Sequence, residues 1–448
     1  MKLLMKILQS TGGRTRLLAA ALPVLLLLGP SGAPAQTLDT TQFIVIGEGL
    51  AAGMADFALR DVYQKTSFPA QMAAQMKTAF PQPIIQSPGL SSGTPGFNTL
   101  PAGMPFTLQG SGRNDFPPQL FSFNLAMPGA TVSDALNLRP APPLIQPTNN
   151  KQTLANLILG YPSMIIENNV PYWSQVEYAV AMNPTLVVVE LGYSEVLAAA
   201  ATNDPSKLPN VQTFTQDYAT LLSRLRSNGP ASPQIVVMTI PNPFDTAYFT
   251  SVNSATNYLA GAPPDTIATF LAMKQGDYFT PNGLVQAVTA LVTNNVNPFF
   301  NPFSAQPGTV VQAATQTAVE ANLAQLNAAI TSAAKSAGAQ VFDLQALIHN
   351  VRQNGLIVGS QTLTADYLGG FYSLDGYYPG ATGQALIANQ MLAFLNSTYH
   401  PHFGQVNLVD VAKDDPAGRL KPSVRKSGTA VPLLRRRLDL THLRGLRR

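Results

Sequence analysis

Four short segments hold the residues that could do chemistry. In the first, Phe43-Ile44-Val45-Ile46 runs into Gly47-Glu48-Gly49-Leu50, an apolar strand entering a tight glycine-rich turn and then a helix. The second is Asn124-Leu125-Ala126-Met127-Pro128-Gly129-Ala130-Thr131, and the third is Leu191-Gly192-Tyr193-Ser194-Glu195. The fourth is Ser373-Leu374-Asp375-Gly376-Tyr377-Tyr378-Pro379. Backbone N–H groups at Gly49 and Gly129 are the kind of donor pair that binds an oxyanion or a carbonyl oxygen. Acyl transfer on such a pair also needs an attacking oxygen and a proton acceptor. Gly49 has no side chain, and a tyrosine near its ordinary pKa keeps its proton at neutral pH. Ser194 supplies a hydroxyl without a base visible beside it, and its plainer role is that of a turn hydroxyl. His349, His400, His402 and His442 are the only histidines, and all lie outside the four segments.

Carboxylates are the second resource. Glu48, Glu190, Glu195 and Asp375 fall at or near the C-terminal ends of expected strands, where an open parallel sheet gathers its ligands. Structural hydrogen bonding is the simplest role for Glu48 and Glu195. A carboxylate pair working on a sugar, or holding a divalent cation, stays open as an alternative.

The elements that must position these groups follow from periodicity. Short apolar runs at Phe43–Ile46, Phe121–Leu125, Leu186–Val189, Ile235–Ile240 and Gln340–Phe342 predict strands, and the β-branched Leu186-Val-Val-Val189 suits a central one covered on both faces. Phe214, Tyr218, Leu221 and Leu225 share one helical face, as do Val319, Leu323, Leu326 and Ile330, and a last helix carries Ile387, Met391 and Phe394. The alternation predicts an α/β fold with a parallel sheet. Residues 243–315 are too long for an ordinary connection. Their aromatics, Tyr248, Phe249, Tyr258, Tyr278 and Phe279 among them, fit either a lid over the cleft or packing onto the core.

In order and context the four segments resemble those of the SGNH/GDSL hydrolases. There Gly-Asp-Ser-Leu carries the nucleophile, a later glycine and an asparagine complete the oxyanion hole, and Asp-x-x-His-Pro supplies the base and its orienting carboxylate. Gly47-Glu48-Gly49-Leu50 puts Gly49 at the serine position, Gly129 keeps the glycine, Ser194 stands for the asparagine, and Asp375 keeps the aspartate while Tyr378 stands for the histidine. The resemblance covers most of residues 41–400. It implies a three-layer αβα, flavodoxin-like fold with a five-stranded parallel sheet, and ester hydrolysis of lipids or acylated sugars without a cofactor. The substitutions predict a degenerate member, a pseudohydrolase. In it Gly49, Gly129, Ser194, Tyr378 and Glu48 would line a cleft holding an acyl or glycan ligand, with Gly49 leaving room and Tyr378 offering a ring opposite. An active esterase using other residues is one alternative. An envelope component docking through its basic tail is another.

The ends of the chain set its destination. Lys2, Lys6, Arg14 and Arg16 precede the apolar run Leu17 to Leu28, and Ala33-Pro34-Ala35 offers a cleavage site, so residues 1–35 are expected to be a signal peptide directing export. The chain has no cysteine, which removes disulfides and lipid attachment at a lipobox. Residues 411–448 carry 11 Lys+Arg against 3 Asp+Glu, a net of +8, and the first 35 residues add +4. With a total of +4, residues 36–410 carry 4 − 8 − 4 = −8. An acidic body argues against nucleic-acid binding. A domain over residues 36–406 and a basic, disordered tail over 407–448 are expected, the tail free or touching an anionic envelope surface.

Overall fold

The structure, a computed structural model, describes residues 38–97, 121–164, 170–227, 232–259, 263–274, 276–292 and 308–419. The expected signal peptide and residues 420–448 of the tail lie outside these. Four parallel strands, β1 (Phe43–Gly47), β2 (Leu186–Glu190), β3 (Gln234–Met238) and β4 (Gln340–Phe342), lie side by side in that order. β1 and β2 are buried along their whole length, so neither face of the central sheet meets water. That is why both are written almost wholly in Val, Ile, Leu and Phe. Their register pairs Phe43 with Leu186 and Gly47 with Glu190, which brings the two chemistry-bearing strand ends level.

A fifth strand at Phe121–Leu125 does not form. Its contact with β1 is a single parallel bridge, Val45 with Asn124, backed by Val45 N–H to the Phe123 carbonyl and Leu125 N–H to that of Val45. The polar residues of the segment are turned to other work. Ser122 Oγ bonds the Asn124 carbonyl and Asn124 Nδ2 donates to Ala51, while Phe121 is 48% exposed.

Ten helices matter for the site: α1 (Gly49–Ala52), α2 (Phe68–Met76), α3 (Val132–Asn137), α4 (Gln175–Ala181), α5 (Tyr193–Thr202), α6 (Val211–Ser227), α7 (Ala313–Ala337), α8 (Leu344–Asn354), α9 (Ala381–Tyr399) and α10 (Leu408–Asp414). α6 packs on α3, α4 and α7, whereas α9 packs on α2 and α10. The apolar faces read from the sequence are the buried ones, with Tyr218, Leu221, Leu323, Leu326, Ile330, Ile387 and Met391 all in the core.

The insertion folds onto the body. Thr250–Ser251, Tyr278–Phe279 and Val310–Val311 make a small antiparallel sheet, and Tyr248, Phe249, Tyr258 and Phe279 are core residues. The aromatics of the insertion among the described residues are packed into the core. The expected boundary at residue 406 also shifts. Asn407 caps α10, and the buried Asp415 accepts from the N–H groups of Thr382 and Ala417, so ordered chain continues to Arg419. Among the described residues no helix is long and apolar enough to cross a membrane.

Candidate functional site

The strand ends of β1 and β2 carry a closed polar node. Glu48 caps α1, its Oε1 accepting the Leu50 N–H at 2.9 Å, and the Gly49 N–H faces the same carboxyl. Oε2 accepts two hydroxyls, from Tyr378 at 2.8 Å and from Ser194 in a shorter bond. The donors that could have bound a ligand's oxygen are therefore turned on a side chain of the protein itself. Glu190 lies beside it, one carboxyl oxygen taking the N–H groups of Glu48 at 3.2 Å and Ala51 at 3.1 Å.

Gly49 and Tyr378 fit each other as knob and hole. A Cβ built on Gly49 would lie 2.5 Å from Tyr378 Oη and 2.6 Å from its Cζ, well inside van der Waals contact. The room expected at Gly49 is thus filled by the ring expected opposite it. Around that ring pack Phe97, Tyr193 and Tyr377, with Tyr193 and Tyr377 stacked at 4.2 Å and Tyr377 meeting Tyr248 from the insertion at 6.2 Å. Glu48, Gly49, Ser194 and Tyr378 are all buried.

The loop that delivers Tyr378 is ordered by two aspartates. Asp375 Oδ1 accepts the N–H groups of Tyr377 at 2.7 Å and Tyr378 at 2.8 Å, and Oδ2 that of Phe57 at 3.3 Å. It holds backbone, not a ring. Asp56 accepts the Leu374 N–H at 2.8 Å and the Tyr63 hydroxyl at 2.9 Å, pairs with Arg60, and donates its own N–H to Ser373 Oγ at 2.9 Å. Asp56 and Phe57 take φ of 53° and 65°, the left-handed pair that turns Met54–Ala55 back into Ala58–Leu59. The sequence pattern around Asp56 carries no sign of this positioning role.

Glu195 Oε1 takes the Val132 N–H at the start of α3 at 2.6 Å, while its other oxygen is buried without a partner among the described residues. Gly129 has φ 77°, and an added Cβ would meet Ser92 and Thr94. Its segment is fixed to β1 by Met127 N–H on the Gly47 carbonyl.

Burial sets the protonation of this region. It raises Glu48, and raises Glu190 well above the carboxylate range with the charge of Glu48 adding to the effect. Burial pushes Glu195 up to about 8 and Asp375 up to about 7. Tyr378 is driven well above its ordinary value by burial and then by the Glu48 charge, so its hydroxyl is a donor and not a base. Ser194 does have an acceptor beside it, the Glu48 carboxyl, contrary to its appearance in sequence; the two are 146 positions apart.

The described histidines stay away from the node. His349 lies 58% exposed, with Nδ1 3.0 Å from Asp245, on a separate open cleft of about 530 Å³ that Glu320 and Asp343 also line. His400 is the C-cap of α9. Among the described residues no three His, Asp or Glu side chains converge so as to hold a metal ion.

No family model and no curated protein matches the chain. Among solved structures it is similar to the crystal structure of phospholipase A1 from Streptomyces albidoflavus NA297. The identity is 14%, the match covers 79% of this chain and 98% of that one, and the TM-score is 0.33, a likeness from which nothing about chemistry follows.

Proposed function

We propose that the chain is a non-hydrolytic member of the SGNH/GDSL type, whose ancestral cleft persists as a buried structural node. The carrying observation is the fit of Tyr378 into the place of a side chain at position 49, with Glu48 engaging the N–H groups of α1. A scaffold that kept an acyl or glycan site here would have to expel that ring first. The order of the four segments along the chain supports the family, and so does their meeting at the ends of β1 and β2 with the 373–379 loop. The proposal includes a three-layer, flavodoxin-like arrangement, which the parallel bridge at Asn124 beside β1 supports. Export through residues 1–35 and contact of the basic tail with an anionic surface belong to the same proposal.

One observation favours a second reading. The Ser194 hydroxyl donates to Glu48, so a carboxylate stands where a base would be needed if Ser194 attacked an ester. Both groups are buried, which closes that route in the form described. The experiment is to incubate the purified protein with short-chain nitrophenyl esters across acidic to basic pH, and with a fluorophosphonate. The expected result is no turnover above a heat-killed sample and no adduct. Turnover with an adduct on Ser194, lost in Ser194→Ala, would overturn the proposal in favour of the second reading.

A further inference from the structure

The cleft of about 530 Å³ that His349 lines lies beyond the C-terminal ends of β3 and β4, against one face of α7 and the start of α8. Its size is within the range that holds a ligand. Leu323, Ala324 and Ala346 give it apolar surface, and Asp245, Glu320 and Asp343 give it three carboxylates. Their side-chain partners include an amide, a hydroxyl and an imidazole: Asn242 Nδ2 donates to Glu320 at 2.9 Å, Thr239 Oγ1 donates to Asp343 at 3.0 Å, and His349 Nδ1 lies 3.0 Å from Asp245. Among the described residues no Lys or Arg pairs with any of the three, and Arg352, on the same α8, is engaged by Asp366. Tyr372 is buried with its hydroxyl unpartnered among the described residues, close enough to Asp245 to feel that charge. The carboxylates do not converge as they would on a metal ion, so the cation they suit is an extended one.

The chain carries such a cation. Residues 420–448 hold 9 Lys+Arg against 1 Asp, a net of +8, and within them Leu433-Leu434-Arg435-Arg436-Arg437-Leu438 joins three guanidinium groups to flanking leucines. This segment starts close to the cleft. Asp415 accepts the Thr382 N–H at 2.7 Å, and Ala417 lies against Gly380 at the start of α9. Gly380 donates its N–H to the Phe371 carbonyl at 3.0 Å, and the next residue, Tyr372, is the one within range of the Asp245 charge. The 16 residues from Arg419 to Arg435 reach up to about 50 Å when extended, more than that short path of contacts requires. We propose that the segment around Arg435–Arg437 docks in this cleft of its own chain, its guanidinium groups on Asp245, Glu320 and Asp343 and its leucines against Leu323, Ala324 and Ala346. The inference goes beyond the buried node and stands whether or not that node hydrolyses anything. It gives the tail a resident partner, so an anionic surface has to displace the cleft to hold the same arginines.

The chain has no cysteine, so introduced pairs report the docking directly. In the whole protein Leu434→Cys is combined either with Ala346→Cys in the cleft or with Ser232→Cys just before β3, at the opposite end of the sheet; Ala346 and Ser232 are both exposed. Disulfide formation is timed under mild oxidation, at low salt and low protein concentration. The Ala346 pair should close within one chain about tenfold faster than the Ser232 pair, because docking raises the local concentration of the tail only at the cleft. In about 0.5 M NaCl the advantage should shrink severalfold. It should vanish in Asp245→Asn with Glu320→Gln, and equally in Arg435→Ala, Arg436→Ala and Arg437→Ala combined. The tail substitutions change no described residue, so they keep the test available should the carboxylate variant not fold. Equal rates at the two positions, or an advantage that survives both sets of substitutions, would overturn the docking. Links formed only between chains, at a rate rising with protein concentration, would overturn it in favour of the tail of a second copy.

Discussion

Placing a serine at position 49 should damage the fold before it creates any activity. The Cβ alone would come within 2.5 Å of Tyr378 Oη and 2.6 Å of Cζ, about 1 Å inside ordinary contact, and the hydroxyl adds more volume. Overpacking of this kind costs about 1–3 kcal/mol. If the ring yields, its hydrogen bond to the Glu48 carboxyl goes with it, worth about 1.5–3 kcal/mol for a bond to a charged group and less if that carboxyl is protonated. The φ of Gly49 is not in the left-handed region, so backbone strain adds nothing, and helix propensity favours serine by about 0.5 kcal/mol. With the ring displaced, Gly49→Ser should therefore lose about 2–5 kcal/mol. Tyr378→His removes the obstructing hydroxyl and part of the ring at a cost of its own. The two changes together should be milder than their sum by about 1–3 kcal/mol, as for residues in contact. Urea denaturation of the parent, both single variants and the double variant measures this directly, with unchanged m-values as the check on two-state behaviour. Additivity within about 0.5 kcal/mol would refute the steric argument, as would a Gly49→Ser protein as stable as its parent.

Other outcomes follow from the same geometry. Gly49→Ser, Ser194→Asn and Tyr378→His combined should react with a fluorophosphonate at residue 49 and turn over short esters, whereas Tyr378→His alone should do neither; mass spectrometry of the adduct decides it. Glu195 at about 8 and Asp375 at about 7 are raised by burial, so the stability they contribute is full below the ordinary carboxylate range and is lost as pH rises through 7–8. Thermal melts should fall from about pH 5 to about pH 9, with a flatter profile in Glu195→Gln. Asp375→Asn keeps one acceptor oxygen where three N–H groups are now bound and should cost about 1–3 kcal/mol in urea melts. N-terminal sequencing of the protein recovered from an exporting host should begin at Gln36.

Much of this framework could be read directly. The runs beginning at Phe43, Leu186 and Ile235 are apolar and rich in β-branched residues because both faces of their sheet are covered, whereas the edge strand from Gln340 buries only Phe342. Phe121–Leu125 has a similar local composition but gives its polar groups to Ala51 and to its own backbone, a choice visible only with the neighbours in place. Composition averaged over residues 411–448 likewise hid Asp415, whose buried carboxyl caps the start of α9 and holds Ala417, so the fold runs past its expected end. Gly49 and Tyr378 could each be named from the order of the segments; their complementarity could not, because 329 positions separate them and neither has a local signature of the other.

That complementarity constrains how the site could have changed. A serine at 49 and a tyrosine at 378 compete for one volume, and a glycine at 49 beside a histidine would leave a buried void next to two carboxyls. Glu48 then becomes intelligible. One carbon longer than an aspartate, its carboxyl reaches the Tyr378 and Ser194 hydroxyls while still capping α1. Shortening it by Glu48→Asp should therefore release the two hydroxyls while sparing the cap. The tyrosine's ultraviolet absorption and the exchange of the Tyr378 amide would report the loss, and an unaltered loop in that variant would mean that Asp375 and the aromatic packing alone hold the ring in place.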